Sequence, residues 1–230
     1  MLGSWFAVVG DVDELGGGRS TPPSEFPSGG SKKGDSELNT QDIGHDRWAG
    51  FTAVLVGDRD HSLELTIGAG PYSGAQRLRS MLTVRWLATF LLRSAQMAGS
   101  RIPSAGYAIK QLNHLVTGTD IAWEAQIGPG LVLFHPTGVV IGPRSVIGSN
   151  CIIQQGVTIG TSGNAKDGLD SPIIGDRCLL GAGSRILGPV TVGDDVIVGA
   201  NAVVIHDVPS SSIATGVPAS SRPQRDDSQS

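Results

Sequence analysis

His135 is the residue whose type and position best fit chemistry in this sequence. Its imidazole can accept or donate a proton near neutral pH, which suits general acid–base catalysis. It follows the apolar Leu133 by two positions and comes just before a shift of two residues in the repeat described below. Such a shift predicts a bulge, and bulges redirect side chains. The pattern alone leaves both a functional and a structural role open for His135.

The other histidines and both cysteines have simpler interpretations. Four histidines lie in segments predicted to be solvated or near a helix end: His45, His61, His114 and His206. Cys151 and Cys178 occupy a small inward position of the repeat, so they are predicted to be packed and inert. A zinc site with three histidine ligands is not expected, because the repeat offers only His135. No metal is therefore predicted.

A six-residue repeat positions His135. Aliphatic residues recur every six positions in three series, with a shift of two after the first series and a break before the third. The series are Ile121, Ile127, Leu133 and Val139; Ile141, Ile147, Ile153 and Ile159; and Ile174, Leu180, Ile186, Val192, Val198 and Val204. Such hexads are typical of a parallel β-helix, with the aliphatic side chains inside. The predicted fold class is therefore mainly β: a left-handed parallel β-helix of four to five coils at residues 119–210.

Residues 161–173 interrupt this repeat. The segment is polar and carries no hexad, so it is predicted to leave the coil as an extruded loop. Loops on rigid scaffolds often carry function. The composition is compatible with a functional loop and with a plain insertion.

The N-terminal third and the C-terminus differ from the repeat in composition. Residues 1–72 are predicted to be an extension that is largely disordered or weakly structured, because its first part is rich in Gly, Pro and Ser. Within the extension, residues 51–56 and 63–67 fit the two strands of a short hairpin. Residues 211–230 are predicted to be a C-terminal tail.

A short α-helical segment is predicted at residues 73–118. Ser73 and Gln76 fit a capping box that opens one helix, Gly99 is a plausible stop, and Pro103 begins a second helix that runs to about Leu115. Four arginines lie along the first predicted helix: Arg77, Arg79, Arg85 and Arg93. They fit a basic helix on a membrane surface, although arginine stems packed along the protein's own apolar surface are the simpler interpretation.

Composition and charge exclude several classes of protein. The formal net charge of −4 disfavours a nucleic-acid partner held by a basic surface. The longest apolar stretch, residues 81–92, is too short and too charged to span a membrane. Two cysteines make no disulfide framework and the N-terminus lacks a secretory signal, so a cytoplasmic location is expected.

Three segments of the repeat carry a resemblance to a known family. They are Phe134-His135-Pro136-Thr137-Gly138-Val139-Val140-Ile141-Gly142, Gln155-Gly156-Val157-Thr158-Ile159-Gly160 and Gly181-Ala182-Gly183-Ser184-Arg185-Ile186-Leu187-Gly188. Over about residues 75–219 the sequence resembles the serine acetyltransferase branch of the hexapeptide-repeat acyltransferases. The resemblance implies that His135 is the general base, that Asp120 fifteen residues earlier orients it, and that acetyl-CoA, or another acyl-CoA, is the co-substrate.

The resemblance also implies where CoA binds. In this family CoA lies in a cleft between coils of adjacent subunits, beside small residues that leave room for the pantetheine arm. The matching positions are Gly160, Thr161, Ala182 and Ala200. A homotrimer is therefore expected.

The sequence departs from the family at the positions that bind the acceptor. Phe134 stands where the family has an aspartate for the serine amine, and Asp170-Ser171-Pro172 stands where the family has Arg-His-Pro for the carboxylate. A carboxylate prefers a bidentate guanidinium. The substrate positions Phe134, Asp170 and Ser171 are thus predicted to bind an amino acid poorly.

The predicted function is a CoA-dependent O-acyltransferase similar to serine O-acetyltransferase, acting on a small-molecule hydroxyl or amine. Two alternatives remain: an acyltransferase for a sugar or specialised metabolite, and a non-catalytic trimeric scaffold. The family docks a partner enzyme through a terminal isoleucine, which residues 225–230 lack, so that partnership is not expected.

Overall fold

The computed structural model describes residues 50–163 and 171–224. Four helices precede a β-solenoid: Gly50–Ile67 (α1), Gly74–Met81 (α2), Val84–Gly99 (α3) and Pro103–Thr117 (α4). No helix in these two ranges is long and apolar enough to cross a bilayer.

The hairpin predicted within residues 51–67 is wrong, because this whole segment is helix α1. The residues between the two expected strands continue the helix, and Asp58 among them is 2% exposed and ion-paired with Arg93 of α3. A long-range contact of this kind outweighs local β-propensity. The predicted extension at residues 1–72 is corrected accordingly: its residues 50–67 are helical, whereas residues 1–49 lie outside the described residues.

The single helix predicted from Ser73 to Gly99 is two helices. The capping box is confirmed: Gln76 N donates to Ser73 Oγ at 3.3 Å, and Ser73 N donates to Gln76 Oε1 at 2.8 Å. Thr83 then supplies a second N-cap, because its hydroxyl accepts from Trp86 N at 3.2 Å while its backbone is extended. The apolar spacing continues across this break, so spacing alone does not reveal it.

Helix α4 begins at Pro103 as predicted and ends at Thr117, where Gly118 takes a left-handed φ of 76°. It crosses α3 closely at two glycines. A Cβ on Gly106 would stand 2.5 Å from Gly99 Cα, so a larger residue at Gly106 would push the two helices apart.

The remainder forms a parallel β-solenoid of about four turns with three faces. Face A contains Asp120–Ile121 (β1), Val140–Ile141 (β4), Thr158–Gly160 (β7), Arg185–Leu187 (β10) and Val203–Val204 (β13). Face B contains Gln126–Ile127 (β2), Val146–Ile147 (β5), Ile173–Ile174 (β8) and Thr191–Val192 (β11). Face C contains Val132–Phe134 (β3), Ile152–Gln154 (β6), Leu179–Leu180 (β9), Ile197–Val198 (β12), Ser212–Gly216 (β14) and Ala219–Pro223 (β15).

The core of the solenoid is built from the predicted hexad positions. Every aliphatic residue of the three series is buried, with Ile127 the most exposed at 8%. Cys151 and Cys178 are buried at the small position, as predicted, and their thiols donate to Gly175 O and Gly193 O. The hydrogen bond with Cys178, together with burial, raises the pKa of the Cys151 thiol well above its ordinary value.

The predicted C-terminal tail at residues 211–230 is wrong for residues 212–223. Strand β14 extends face C by pairing parallel to β12, with Ile213 opposite Ile197, and β15 then turns back antiparallel to β14. The regular hexad pattern ends before this pair, so the sequence repeat does not indicate it.

A buried ion pair fixes the helices to the first coil. Arg93 Nε donates to Asp58 Oδ2 at 2.9 Å, and Arg93 Nη1 donates to Ile127 O at 2.8 Å. Asp58 Oδ1 accepts from Leu131 N at 2.8 Å. One charge pair therefore joins α1, α3 and the solenoid, and Arg93 packs within its own protein, in line with the simpler interpretation of the arginine pattern.

Candidate active site

His135 lies at the corner where the chain passes from face C to face A, which we call the C–A corner (residues 135–139). Phe134 is in register with Gln154, and Val140 is in register with Thr158. The first coil thus uses two more residues at this corner than the next coil does, which confirms the predicted shift. His135 takes a left-handed φ of 55° at this insertion, and its side chain is exposed. The extra residues therefore turn the imidazole out of the solenoid.

Asp120 lies beside the same corner, one turn away. Its backbone N donates to Val139 O at 2.8 Å, and Gly138 N donates to Gly118 O at 2.9 Å. The structure therefore brings the segments of Asp120 and His135 together. Their side chains are not hydrogen-bonded in this structure; the Asp120 carboxylate, which is 42% exposed, pairs with Lys110 Nζ of α4.

Phe134 contacts a cation from the helical segment. The guanidinium carbon of Arg85, in the first turn of α3, lies 4.3 Å from the centre of the Phe134 ring. Arg85 Nη1 also donates to Ser62 Oγ at 3.3 Å and to Thr66 Oγ1 at 3.2 Å, both on α1. Burial lowers the pKa of Arg85 from its ordinary value. An arginine thus lies over the residue that precedes His135.

Two of the predicted CoA positions stack above this corner. Leu180 is in register with Val198, so Ala182 and Ala200 occupy equivalent corner positions in consecutive coils. Asn201 N donates to Ala182 O at 2.8 Å, which fixes this stacking. Ala182 is half-buried and Ala200 is exposed, and their methyl groups leave the corner unobstructed.

The other two predicted CoA positions lie at the opposite edge of face A. Gly160 ends β7 in register with Leu187, and Thr161 follows it at the start of the loop. Among the described residues, no atom outside the two chain neighbours of Gly160 lies within 4 Å of the place where its Cβ would stand. Leu187 ends β10, whereas Ala182 precedes the corner turn at Gly183 that leads into β10. Within one chain, the structure does not bring the two pairs together.

The substrate loop is described only in part. Ser171 is half-buried where the chain rejoins face B, and Val146 N donates to Pro172 O at 3.1 Å just after it. Asp170 lies outside the described residues. Among the residues that are described, no three His, Cys, Asp or Glu side chains converge as metal ligands.

The sequence does not indicate the contact of Arg85 with Phe134 or the ion pair of Lys110 with Asp120. In the sequence, Arg85 is one of several arginines on a helix, and nothing distinguishes Lys110 from other residues of α4. Both reach the site through the packing of helices against the first coil. No spacing within the sequence encodes that contact.

Comparison with known proteins agrees with this geometry. The family model for the bacterial transferase hexapeptide (six repeats) matches residues 171–206, and that for the hexapeptide repeat of succinyl-transferase matches residues 138–162. The serine acetyltransferase of Helicobacter pylori strain J99 is 46% identical over 112 residues, which are 49% of this chain and 65% of that protein. That of Mycobacterium tuberculosis strain H37Rv is 43% identical over 111 residues, 48% of either chain.

Solved structures extend the similarity to the helices. Soybean serine acetyltransferase complexed with serine superposes with a TM-score of 0.67 at 33% identity, covering 76% of this chain and 70% of that one. The Brucella abortus strain S19 enzyme in complex with coenzyme A gives a TM-score of 0.66 at 28% identity, covering 76% and 69%. The chain spans just under two thirds of the length of the Helicobacter pylori relative and about half that of the Mycobacterium tuberculosis relative. From its repeat, its inserted corner and these matches, the chain belongs to the serine acetyltransferase family of hexapeptide-repeat acyltransferases.

Proposed function

We propose that the protein transfers an acetyl group from acetyl-CoA to the hydroxyl of a small acceptor, as a serine O-acetyltransferase or a close variant of one. The observation that carries the proposal is the inserted C–A corner, which turns the His135 imidazole outward beside the strand of Asp120. Relatives of the same family have been solved with serine and with coenzyme A.

The chemistry follows from His135 acting as general base. A neutral imidazole takes the proton of the acceptor O–H, and the oxygen forms a bond to the thioester carbonyl carbon of acetyl-CoA. When the tetrahedral intermediate collapses, the C–S bond breaks and the imidazolium returns the proton to the CoA sulfur. The products are an acetyl ester and free CoA thiol, and no other reactant is consumed.

Asp120 is proposed as a positioning residue for this base. A carboxylate beside the imidazole favours one tautomer and stabilises the imidazolium during proton transfer. Its pairing with Lys110 in the free protein means that Asp120 exchanges or shares this partner when His135 becomes charged. The nearness of residues 118–120 to residues 137–140 supports this role.

Acetyl-CoA is proposed to bind between two subunits of a homotrimer. Ala182 and Ala200 of one subunit would line one side of its cleft, and Gly160 and Thr161 of a neighbour would line the other. The supporting observation is that these pairs lie on opposite edges of face A in a single chain. A closed threefold assembly brings unlike edges of one face into contact.

The acceptor is proposed to be serine or a small hydroxy compound of similar size, bound near Phe134, Ser171 and Asp170. A sugar or specialised metabolite stays the alternative acceptor. A cytoplasmic location, where acetyl-CoA is available, likewise stays a prediction.

Thiol release from acetyl-CoA with L-serine as acceptor tests the proposed function. The best variant is His135→Asn, because asparagine tolerates a left-handed backbone and provides no base near neutral pH. We expect kcat to fall at least about a hundredfold, whereas the matched control His206→Ala, an exposed histidine after β13, keeps wild-type rates.

Two results would contradict the proposal. One is acceptor-dependent thiol release that survives His135→Asn, which would remove His135 as the base. The other is a wild-type protein that binds acetyl-CoA but releases no thiol with serine, sugars or other hydroxyl compounds, which would favour the non-catalytic scaffold.

A further inference from the structure

Arg85 is a cation in a setting that disfavours one. It lies in the first turn of α3, where the positive end of the helix dipole repels a guanidinium, and that turn contains no acidic residue. Its side chain is partly buried, and burial lowers its pKa. Within residues 50–163 and 171–224 its partners are two hydroxyls and one aromatic ring, and no carboxylate pairs with it.

The contrast with other arginines of the helical segment makes this setting specific. Arg93, eight residues further along α3, is buried against the carboxylate of Asp58. Arg79 is exposed in the last turn of α2, where a helix dipole favours a cation. Arg85 has neither a carboxylate partner nor a favourable helix dipole. An anion supplied from outside the chain would therefore pair with a guanidinium whose charge is not yet compensated.

The position of Arg85 connects it to the proposed chemistry. Its guanidinium lies over the ring of Phe134, whose carbonyl is joined directly to the nitrogen of His135. Helix α3 packs against β3, which leads into the C–A corner. The guanidinium therefore lies over the residue that directly precedes the proposed base.

We propose that Arg85 binds the carboxylate of the acceptor and thereby selects a small hydroxy acid. The guanidinium can form two parallel hydrogen bonds with a carboxylate, which fixes the acceptor as well as attracting it. Phe134 offers an ammonium group no carboxylate, and the guanidinium of Arg85 already lies over its ring face. The carboxylate is thus the feature that the site requires, and the α-ammonium of an amino acid is dispensable.

This inference rests on the proposed acetyl transfer, and three acceptors test it. L-Serine carries both charges, 3-hydroxypropionate keeps the carboxylate without the ammonium, and L-serinamide keeps the ammonium without the carboxylate. We expect the wild type to use 3-hydroxypropionate at least as well as L-serine, and L-serinamide at least about tenfold less well in kcat/KM.

The variant Arg85→Gln separates binding from structural support. We expect kcat/KM to fall at least about tenfold for the two carboxylate acceptors and to change little for L-serinamide, with KM for acetyl-CoA unchanged. Arg85→Lys keeps the positive charge but not the bidentate geometry of the guanidinium. We expect its kcat/KM for the two carboxylate acceptors to lie between that of Arg85→Gln and that of the wild type. The control Arg79→Gln leaves all three rates unchanged.

The outcomes distinguish failure of the inference from failure of the proposed function. Equal losses for all three acceptors, or no loss, overturn the role of Arg85 while His135-dependent thiol release upholds the function. Activity on other acceptors but none of these three has the same meaning. A wild-type chain that releases no thiol with any acceptor overturns both. Because Arg85 also joins α1 to α3, circular dichroism and melting temperatures of each variant verify the fold.

Discussion

At the scale of single residues, the site depends on where one coil is longer than the next. The two additional residues of the C–A corner put His135 in a backbone conformation that few side chains adopt. Gly138 N donates to Gly118 O, as the equivalent Gly156 and Gly183 donate to the coils before them, and this regular bond holds the segment of Asp120 next to the corner. The proposed base and its proposed carboxylate partner thus lie on neighbouring turns of the coil.

The substitution Asp120→Asn tests the positioning role. An amide keeps the size of the side chain but cannot stabilise an imidazolium, so we expect kcat to fall at least about tenfold while KM for acetyl-CoA stays unchanged. Steady-state kinetics with the preferred acceptor measure both constants.

Lys110→Met provides the control for that prediction. It removes the ion pair but leaves the carboxylate, and we expect kcat to stay within about threefold of wild type, since a partly exposed pair contributes little. If Lys110→Met loses as much activity as Asp120→Asn, the Lys110–Asp120 pair itself is the functional unit and the positioning role is wrong.

The residue-level predictions succeeded where the repeat contains the information. The register shift predicted a bulge at His135, and the small hexad position predicted that Cys151 and Cys178 are buried. The catalytic role of His135 stays a prediction. The contact between Arg85 and Phe134 was not predicted, because it depends on how α3 packs against β3 and no pattern within either element encodes that packing.

At the scale of elements, one buried ion pair holds the helices on the solenoid. Arg93 is 5% exposed and Asp58 is 2% exposed, and both also form hydrogen bonds with backbone groups of the first coil. The same pair accounts for the helical state of residues 50–67, which their local composition did not indicate. The hexads, by contrast, predicted the inward aliphatic positions of residues 121–204, because each hexad repeats one local geometry.

Breaking this pair should destabilise the protein strongly. Arg93→Met leaves Asp58 buried without its cation, so we expect the free energy of unfolding to fall by about 3–5 kcal/mol in urea titrations. The matched control is Arg177→Met, which breaks the exposed pair with Asp195 and should lower the free energy of unfolding far less. A loss in Arg93→Met no larger than in the control would mean that the helices are held on the coil mainly by apolar contacts.

At the scale of the whole molecule, a single chain carries two halves of the proposed CoA cleft on opposite edges of face A. The trimer expected from the family resemblance would have a mass of about 71 kDa, three times the 23.7 kDa chain, in analytical ultracentrifugation. The assembly is thus proposed as part of the active site.

Mixing two inactive variants tests shared sites directly. His135→Asn removes the proposed base, and Gly160→Trp would fill the proposed cleft from a position where, among the described residues beyond its two neighbours, a Cβ has no atom within 4 Å. Each variant alone should be inactive. If each site takes these residues from different subunits, trimers refolded from an equal mixture should regain about one quarter of the wild-type activity. If both residues belong to one subunit's site, the mixture stays inactive and the shared cleft is wrong.

The antiparallel strand β15 has a consequence for how the molecule behaves in concentrated solution. The last coil of a parallel solenoid presents an open row of N–H and C=O groups, and another copy of the fold can use that row as a template. On face C that row is covered by β15, which runs against the direction of the repeat, bears exposed serines and Arg222, and ends at Pro223, which has no N–H to offer. Removing residues 217–224 would therefore leave β14 as a growth edge and favour end-to-end filaments. The hairpin of β14 and β15 is therefore a cap that prevents another copy from adding to this edge of face C.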